Sequence, residues 1–147
     1  METLGYRNIQ HEDVSVIFEM GKEHFGSPAQ YSWDWSVRKV EEYTDTSFGS
    51  GVVCTDKEKL IGFALAQNRY SEQRPNVAWL TYVVVNPAYK GKGIGKTLTT
   101  KLTDLLKSKG VTEIITDIYE NNTDSLAFFE KQGFDVKERW FILARKI

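Results

Sequence analysis

The sequence predicts an α/β domain in which helices cover the faces of a mixed sheet. Three observations carry this. Short β-branched runs recur along the chain, apolar residues repeat at helical spacing between them, and the order reads strand, helices, three strands, then helix, strand, helix and two strands. A length of 147 residues suits one domain with one substantial core, spanning residues 1–147. Hydrophobic content of 41% against 27% charged is the balance of a water-soluble globular protein.

Tyr6 to Ile9 forms a short first strand. His11-Glu12-Asp13 then opens an amphipathic helix with Val14, Ile17, Phe18 and Met20 inward, which makes His11 a helix-opening residue rather than a catalyst. Gly21 to Gly49 carries Phe25, Tyr31, Trp33, Trp35, Tyr43 and Phe48, with a helix expected from Trp33 to Tyr43. Glu23, Asp34, Glu41, Glu42 and Asp45 outnumber Lys22, Arg38 and Lys39 there. The stretch reads either as an aromatic face packed on the core or as a mobile lip that binds an acceptor.

Ser50–Thr55 and Leu60–Gln67 are partner strands of a hairpin turned by Asp56-Lys57-Glu58-Lys59. Gly62 inside the second marks a bulge or a close backbone approach. A polar connection from Tyr70 to Asn76 leads to a fourth strand, Val77–Val85. Gly95–Lys109 is a helix with Leu98, Leu102, Leu105 and Leu106 on one face, and Gly110 ends it. Thr112–Tyr119 is the fifth strand. Asn122 caps a short helix, Ser125–Gln132, that Gly133 closes. Phe134–Val136 and Trp140–Ala144 are expected as the last strands.

Composition narrows function. A net charge of −1 gives no basic signature for nucleic acid. No apolar run approaches a membrane span, and the first residues lack the regions of a signal peptide, so neither a membrane nor a secretory role is expected. Cys54 is the only cysteine, which rules out an internal disulfide and favours a cytoplasmic location. It sits in the apolar run Gly51-Val52-Val53-Cys54 and reads as a buried thiol, not a nucleophile. No clustered His, Cys and Asp residues suggest a metal site.

The informative stretch is Val85-Asn86-Pro87-Ala88-Tyr89-Lys90-Gly91-Lys92-Gly93-Ile94-Gly95-Lys96-Thr97. A strand, a glycine-rich turn and a helix N-terminus together suit a phosphate, because glycine admits close approach and the first helical N–H groups lack internal partners. A Walker A loop would need glycine where Lys90 stands. A dinucleotide fingerprint would need glycine where Lys96 stands.

The same stretch resembles the acyl-CoA loop of the GNAT superfamily of N-acetyltransferases, Arg/Gln-x-x-Gly-x-Gly/Ala after a strand and a Val-x-Pro step. Its second signature is matched by Asn122-Thr123-Asp124-Ser125-Leu126-Ala127-Phe128-Phe129-Glu130-Lys131-Gln132-Gly133-Phe134. The resemblance implies a mixed, mostly antiparallel sheet of six to seven strands, about four flanking helices and a splay between strands 4 and 5. It implies direct acetyl transfer from acetyl-CoA, as cosubstrate, to an amine.

By that resemblance the amides of Gly91, Lys92, Gly93, Ile94, Gly95 and Lys96 hold the pyrophosphate, with charge from Lys90, Lys92 and Lys96. Lys90 replaces the usual Arg or Gln and meets phosphate as a point charge only. The backbone of Val83, Val84 and Val85 pairs with the pantetheine amides and polarises the thioester, and Asn122 contacts the arm. Phe129 lies at the donor where many members carry a Tyr that protonates the leaving thiolate. With that acid missing and no carboxylate on the fourth strand, Tyr119, Glu120 and Asp117 at the end of the fifth strand, and Tyr82 on the fourth, are the candidates for acid, base or relay. The acceptor is a small-molecule or peptide amine, and the acidic, aromatic stretch hints at a cationic one. Members are often dimers, so a homodimer is an open expectation. Two other classes stay in view: a CoA-binding module without activity, and a P-loop nucleotide binder.

Overall fold

The structure is a computed structural model that describes residues 3–27 and 34–147. Contacts divide the chain into two compact units, Met1–Thr116 and Asp117–Ile147.

The first unit is a five-stranded sheet in the order β1-β2-β3-β4-β5: Leu4–Asn8, Gly49–Asp56, Lys59–Gln67, Val77–Val85 and Glu113–Ile115. The first three pairings are antiparallel and β4–β5 is parallel. Helices α1 (Val14–Phe25) and α2 (Val37–Glu42) lie on one face, where Val14, Ile17, Val40 and Tyr43 pack with Val53, Phe63, Leu65, Tyr82 and Val84. Helix α3 (Ile94–Ser108) covers the other. A Cβ on Gly62 would stand 3.2 Å from Leu98 Cδ1, so α3 presses on the β3 backbone at that glycine. A bulge lies beside it, with Cys54 opposite Gly62 but Thr55 opposite Leu60, so both readings of Gly62 hold.

Three expectations change. Helix α2 is shorter than Trp33–Tyr43 because Ser36 is extended and its hydroxyl accepts from Lys39 N at 3.0 Å, which fixes the start. Tyr31 and Trp33 lie outside the described residues. Strand β5 stops at Ile115, and Thr116 uses its hydroxyl, not its backbone ladder, to reach Leu80 O at 2.9 Å.

The third change is the strand count: the sheet has five strands, not six to seven. In the second unit α4 spans Thr123–Glu130, and Phe134–Val136 and Trp140–Ala144 form no ladder. Their residue types favour strands, but propensity needs a paired neighbour to become one. Here Phe141 is 85% and Leu143 90% exposed. Among the described residues the α-helices number four, as expected.

Candidate active site

The loop after β4 is built in short steps. Asn86 N–H donates to Ile61 O at 2.8 Å, the last bond toward β3. Pro87–Tyr89 makes one 3-10 turn, capped by Asn86 Oδ1 accepting from Ala88 N at 2.9 Å. Tyr89 donates its hydroxyl to Asp56 Oδ2 at 2.6 Å, which ties the turn to the β2–β3 hairpin and holds that carboxyl below the usual range. Gly91 and Gly93 then take φ of 77° and 72°. A Cβ on either would meet nothing within 4 Å, so glycine is needed for the left-handed backbone and not for room.

Gly93 caps α3, whose first internal bond is Thr97 N to Gly93 O at 3.0 Å. The N–H groups of Ile94, Gly95 and Lys96 precede that bond and point out of the helix end. The Ile94 side chain is buried and roots the turn, while Lys90, Lys92 and Lys96 are exposed around it. This end of the helix is therefore a positive, donor-rich surface suited to an anion.

The β4 strand offers a second surface. Its parallel ladder with β5 has three pairs and ends at Trp79–Ile115. Beyond it, among the described residues, no strand pairs with that side of β4. Asn86 N–H faces β3, so by strand alternation the backbone groups of Val84 and Tyr82 do too. Those of Val83 and Val85 face the open side, where an extended ligand can pair with them.

A bulge interrupts β4. Leu65 pairs with Tyr82 but Ala66 pairs with Leu80, so Thr81 is the extra residue. Thr81 donates its hydroxyl to Leu65 O at 3.1 Å, and the Tyr43 hydroxyl lies 2.8 Å from Thr81 Oγ1. The Thr81 proton is on the carbonyl, so Tyr43 is the donor of the shorter bond. The Gln67 side chain also bonds the Tyr43 hydroxyl. Burial pushes the Tyr43 phenol up to about 12, so it stays a donor across neutral pH.

Tyr82 ends elsewhere. Its hydroxyl donates to Asp34 O at 3.2 Å, and its ring meets Phe25, Trp35 and Tyr43 edge-on. Phe25, Trp35, Tyr43 and Phe48 thus pack on the α1–α2 face of the sheet, with the Asp34 residue exposed beside them. Cys54 is fully buried near the Tyr6 hydroxyl, and burial pushes its thiol up, the opposite of a nucleophile's shift.

In the second unit, Asn122 Oδ1 accepts from Ser125 N at 3.2 Å and caps α4. Tyr119 O accepts from Asn122 N at 2.9 Å, Tyr119 is half-buried, and Glu120 and Asp117 are exposed. Phe129 is buried, its ring 5.0 Å from Phe128 and 5.2 Å from Phe134, and Gly133 ends the helix at φ 92°.

Sequence reasoning missed Tyr43 and Gln67 as partners of β4. Only the polar Thr81 inside an apolar strand signalled that something there required a hydroxyl. Among the described residues no helix is long and apolar enough to cross a membrane.

Comparison with known proteins gives concordant matches. The Acetyltransferase (GNAT) family model matches residues 17–134. A glucosamine 6-phosphate N-acetyltransferase of Trypanosoma brucei brucei is 36% identical over 83 residues, covering 55% of this chain and 54% of that protein. The chain thus spans about half the length of that relative. N-alpha-acetyltransferase 30 of Schizosaccharomyces pombe is 24% identical over 125 residues, covering 84% and 79%. Among solved structures, an aminoglycoside N-acetyltransferase in complex with CoA superposes with a TM-score of 0.80 at 19% identity, covering 100% of this chain and 97% of that one.

Proposed function

The chain belongs to the acetyltransferase (GNAT) family, whose donor is acetyl-CoA, and we propose that it moves an acetyl group directly onto a primary amine of a small molecule or peptide N-terminus. The observation that carries this is the left-handed glycine turn at the α3 N-terminus, set directly after a strand with an open edge. The amides of Gly91 to Lys96 take the pyrophosphate, with Lys90, Lys92 and Lys96 around it. Val83 and Val85 pair with the pantetheine amides, and one of these N–H groups polarises the thioester carbonyl. Val84 backs them from the buried face, and Asn122 and Phe129 belong to the donor site by family resemblance.

The acceptor nitrogen forms the new N–C bond with its lone pair. The C–S bond then breaks with its electrons on sulfur, and the surplus ammonium proton passes to water or to the thiolate. Phe129 has no proton to give. Tyr119 is the proposed acid, with Glu120 or Asp117 as base through water and Tyr82 as the further candidate.

The relatives' names cover glucosamine 6-phosphate, an alanine of a ribosomal protein and an aminoglycoside, each acetylated on nitrogen. The exposed Asp34 beside an aromatic face supports a cationic acceptor. Thiol release from acetyl-CoA, measured with spermidine, neomycin, glucosamine 6-phosphate and N-terminal peptides, tests the reading. Turnover with at least one amine is expected. Thermal protection by acetyl-CoA without thiol release across the panel would leave a CoA-binding module instead.

A further inference from the structure

We propose that the Thr81 hydroxyl, held by Tyr43, accepts a hydrogen bond from the attacking amine and aims its nitrogen at the thioester. The inference rests on the acetyl-transfer reading above. A threonine hydroxyl has one proton and two lone pairs. The proton goes to Leu65 O, and Tyr43 fills one lone pair. The other lone pair can take only a donor. A neutral amine still has N–H to donate.

The position follows from the strand. With the pyrophosphate at the α3 N-terminus, the pantetheine arm runs back along the open side of β4, past Val85 and then Val83. Each such step of two residues is about 6.6 Å at the usual strand rise. The next backbone group known to face that side is the Leu80 carbonyl, already taken by the Thr116 hydroxyl, and the bulge residue Thr81 lies just before it. The reactive end of the donor therefore arrives at the bulge.

The bulge also sets the face of approach. Leu65 and Tyr82 are opposite each other on the face that α1 and α2 cover, and Thr81 bonds Tyr43 on that same face. The amine then enters from the aromatic side, across the strand from the donor. Thr81 is no base, since its own proton is committed to a carbonyl. It orients the nucleophile, and the proton leaves by another route.

The test compares Thr81→Val, Thr81→Ser and Tyr43→Phe with the wild type, using whichever of spermidine, neomycin, glucosamine 6-phosphate or the N-terminal peptides the wild type acetylates. Thr81→Val keeps the shape and loses the lone pairs. It should lower kcat/KM for the amine about tenfold, the size of one lost hydrogen bond. KM for acetyl-CoA and the pKa values of the pH–rate profile should not move. Thr81→Ser should restore most of the rate, and Tyr43→Phe should fall between. Melting temperatures confirm that each variant is folded. Wild-type kinetics in Thr81→Val, an equal loss in Thr81→Ser, or a displaced pH profile would each overturn the inference while leaving acetyl transfer intact. A wild type that acetylates no amine of the panel, N-terminal peptides included, overturns the reading and the inference together, and that is seen before any variant is made.

Discussion

The indole of Trp35 occupies the space in which a side chain on Gly21 would begin: Cζ2 stands 2.2 Å from where a Cβ would lie. The ring is fixed there by Nε1–H donating to Phe18 O at 2.9 Å and by edge contact with Tyr82 at 4.8 Å. Glycine in the middle of α1 is thus kept for close packing, although it weakens a helix. Gly21→Ala should displace the indole and destabilise the protein by about 1–3 kcal/mol, as overpacking does. Urea unfolding measures the loss. The amine KM should rise more than the acetyl-CoA KM, because Trp35 adjoins Asp34 and not the glycine turn.

Gly91 and Gly93 make a different demand. Neither is crowded, and both are left-handed. Alanine at either position should cost about 1–2 kcal/mol of backbone strain and tilt the amides that follow. The thermal shift given by acetyl-CoA should shrink in both variants. An undiminished shift in Gly93→Ala would remove the helix cap from donor binding.

Arg7 and Asp13 supply a pH signature. The guanidinium reaches both carboxylate oxygens, at 2.7 and 2.9 Å, and Gln10 N–H donates to Oδ2 at 2.8 Å. Burial alone would raise the Asp13 carboxyl; the Arg7 and Gln10 bonds outweigh it and hold it below its ordinary value. A depressed carboxylate contributes its full stabilisation above the unfolded value near 4, and the contribution drains away as pH falls through the folded value. Arg7→Met should therefore cost about 1–3 kcal/mol at neutral pH, toward the lower end because the arginine is partly exposed. The gap between the two unfolding curves should close in acid. A gap independent of pH would mean that Arg7 acts through packing alone.

What the sequence revealed and what it hid divide along range. The turn from Asn86 to Gly93 was legible because proline and glycine act on their own backbone, and Asn122 was legible because a cap acts three residues away. Val77–Val85 was placed to the residue by its β-branched run and flanking turns. The Tyr43–Thr81 bond spans 38 positions, and nothing local announces it. Where β5 stops is also a matter of partners. Thr112–Tyr119 reads as one strand, yet the ladder holds only Glu113–Ile115. The same gap between propensity and pairing removed the expected strands at Phe134–Val136 and Trp140–Ala144.

The bulge at Thr81 marks a change of phase along β4. Downstream of it Tyr82 and Val84 count as the α1–α2 face; upstream, Trp79 opposite Gln67 belongs to that face and Leu80 opposite Ala66 to the other. Losing this one residue would turn no side chain over: Tyr82 would stay opposite Leu65, Leu80 opposite Ala66 and Trp79 opposite Gln67, and the ladder would become regular. In evolutionary terms Thr81 is an insertion that the strand carries without shifting its register. Its loss would remove the hydroxyl that joins Tyr43 to Leu65 O while sparing the pairing on either side, so the extra residue serves that hydroxyl and not the sheet.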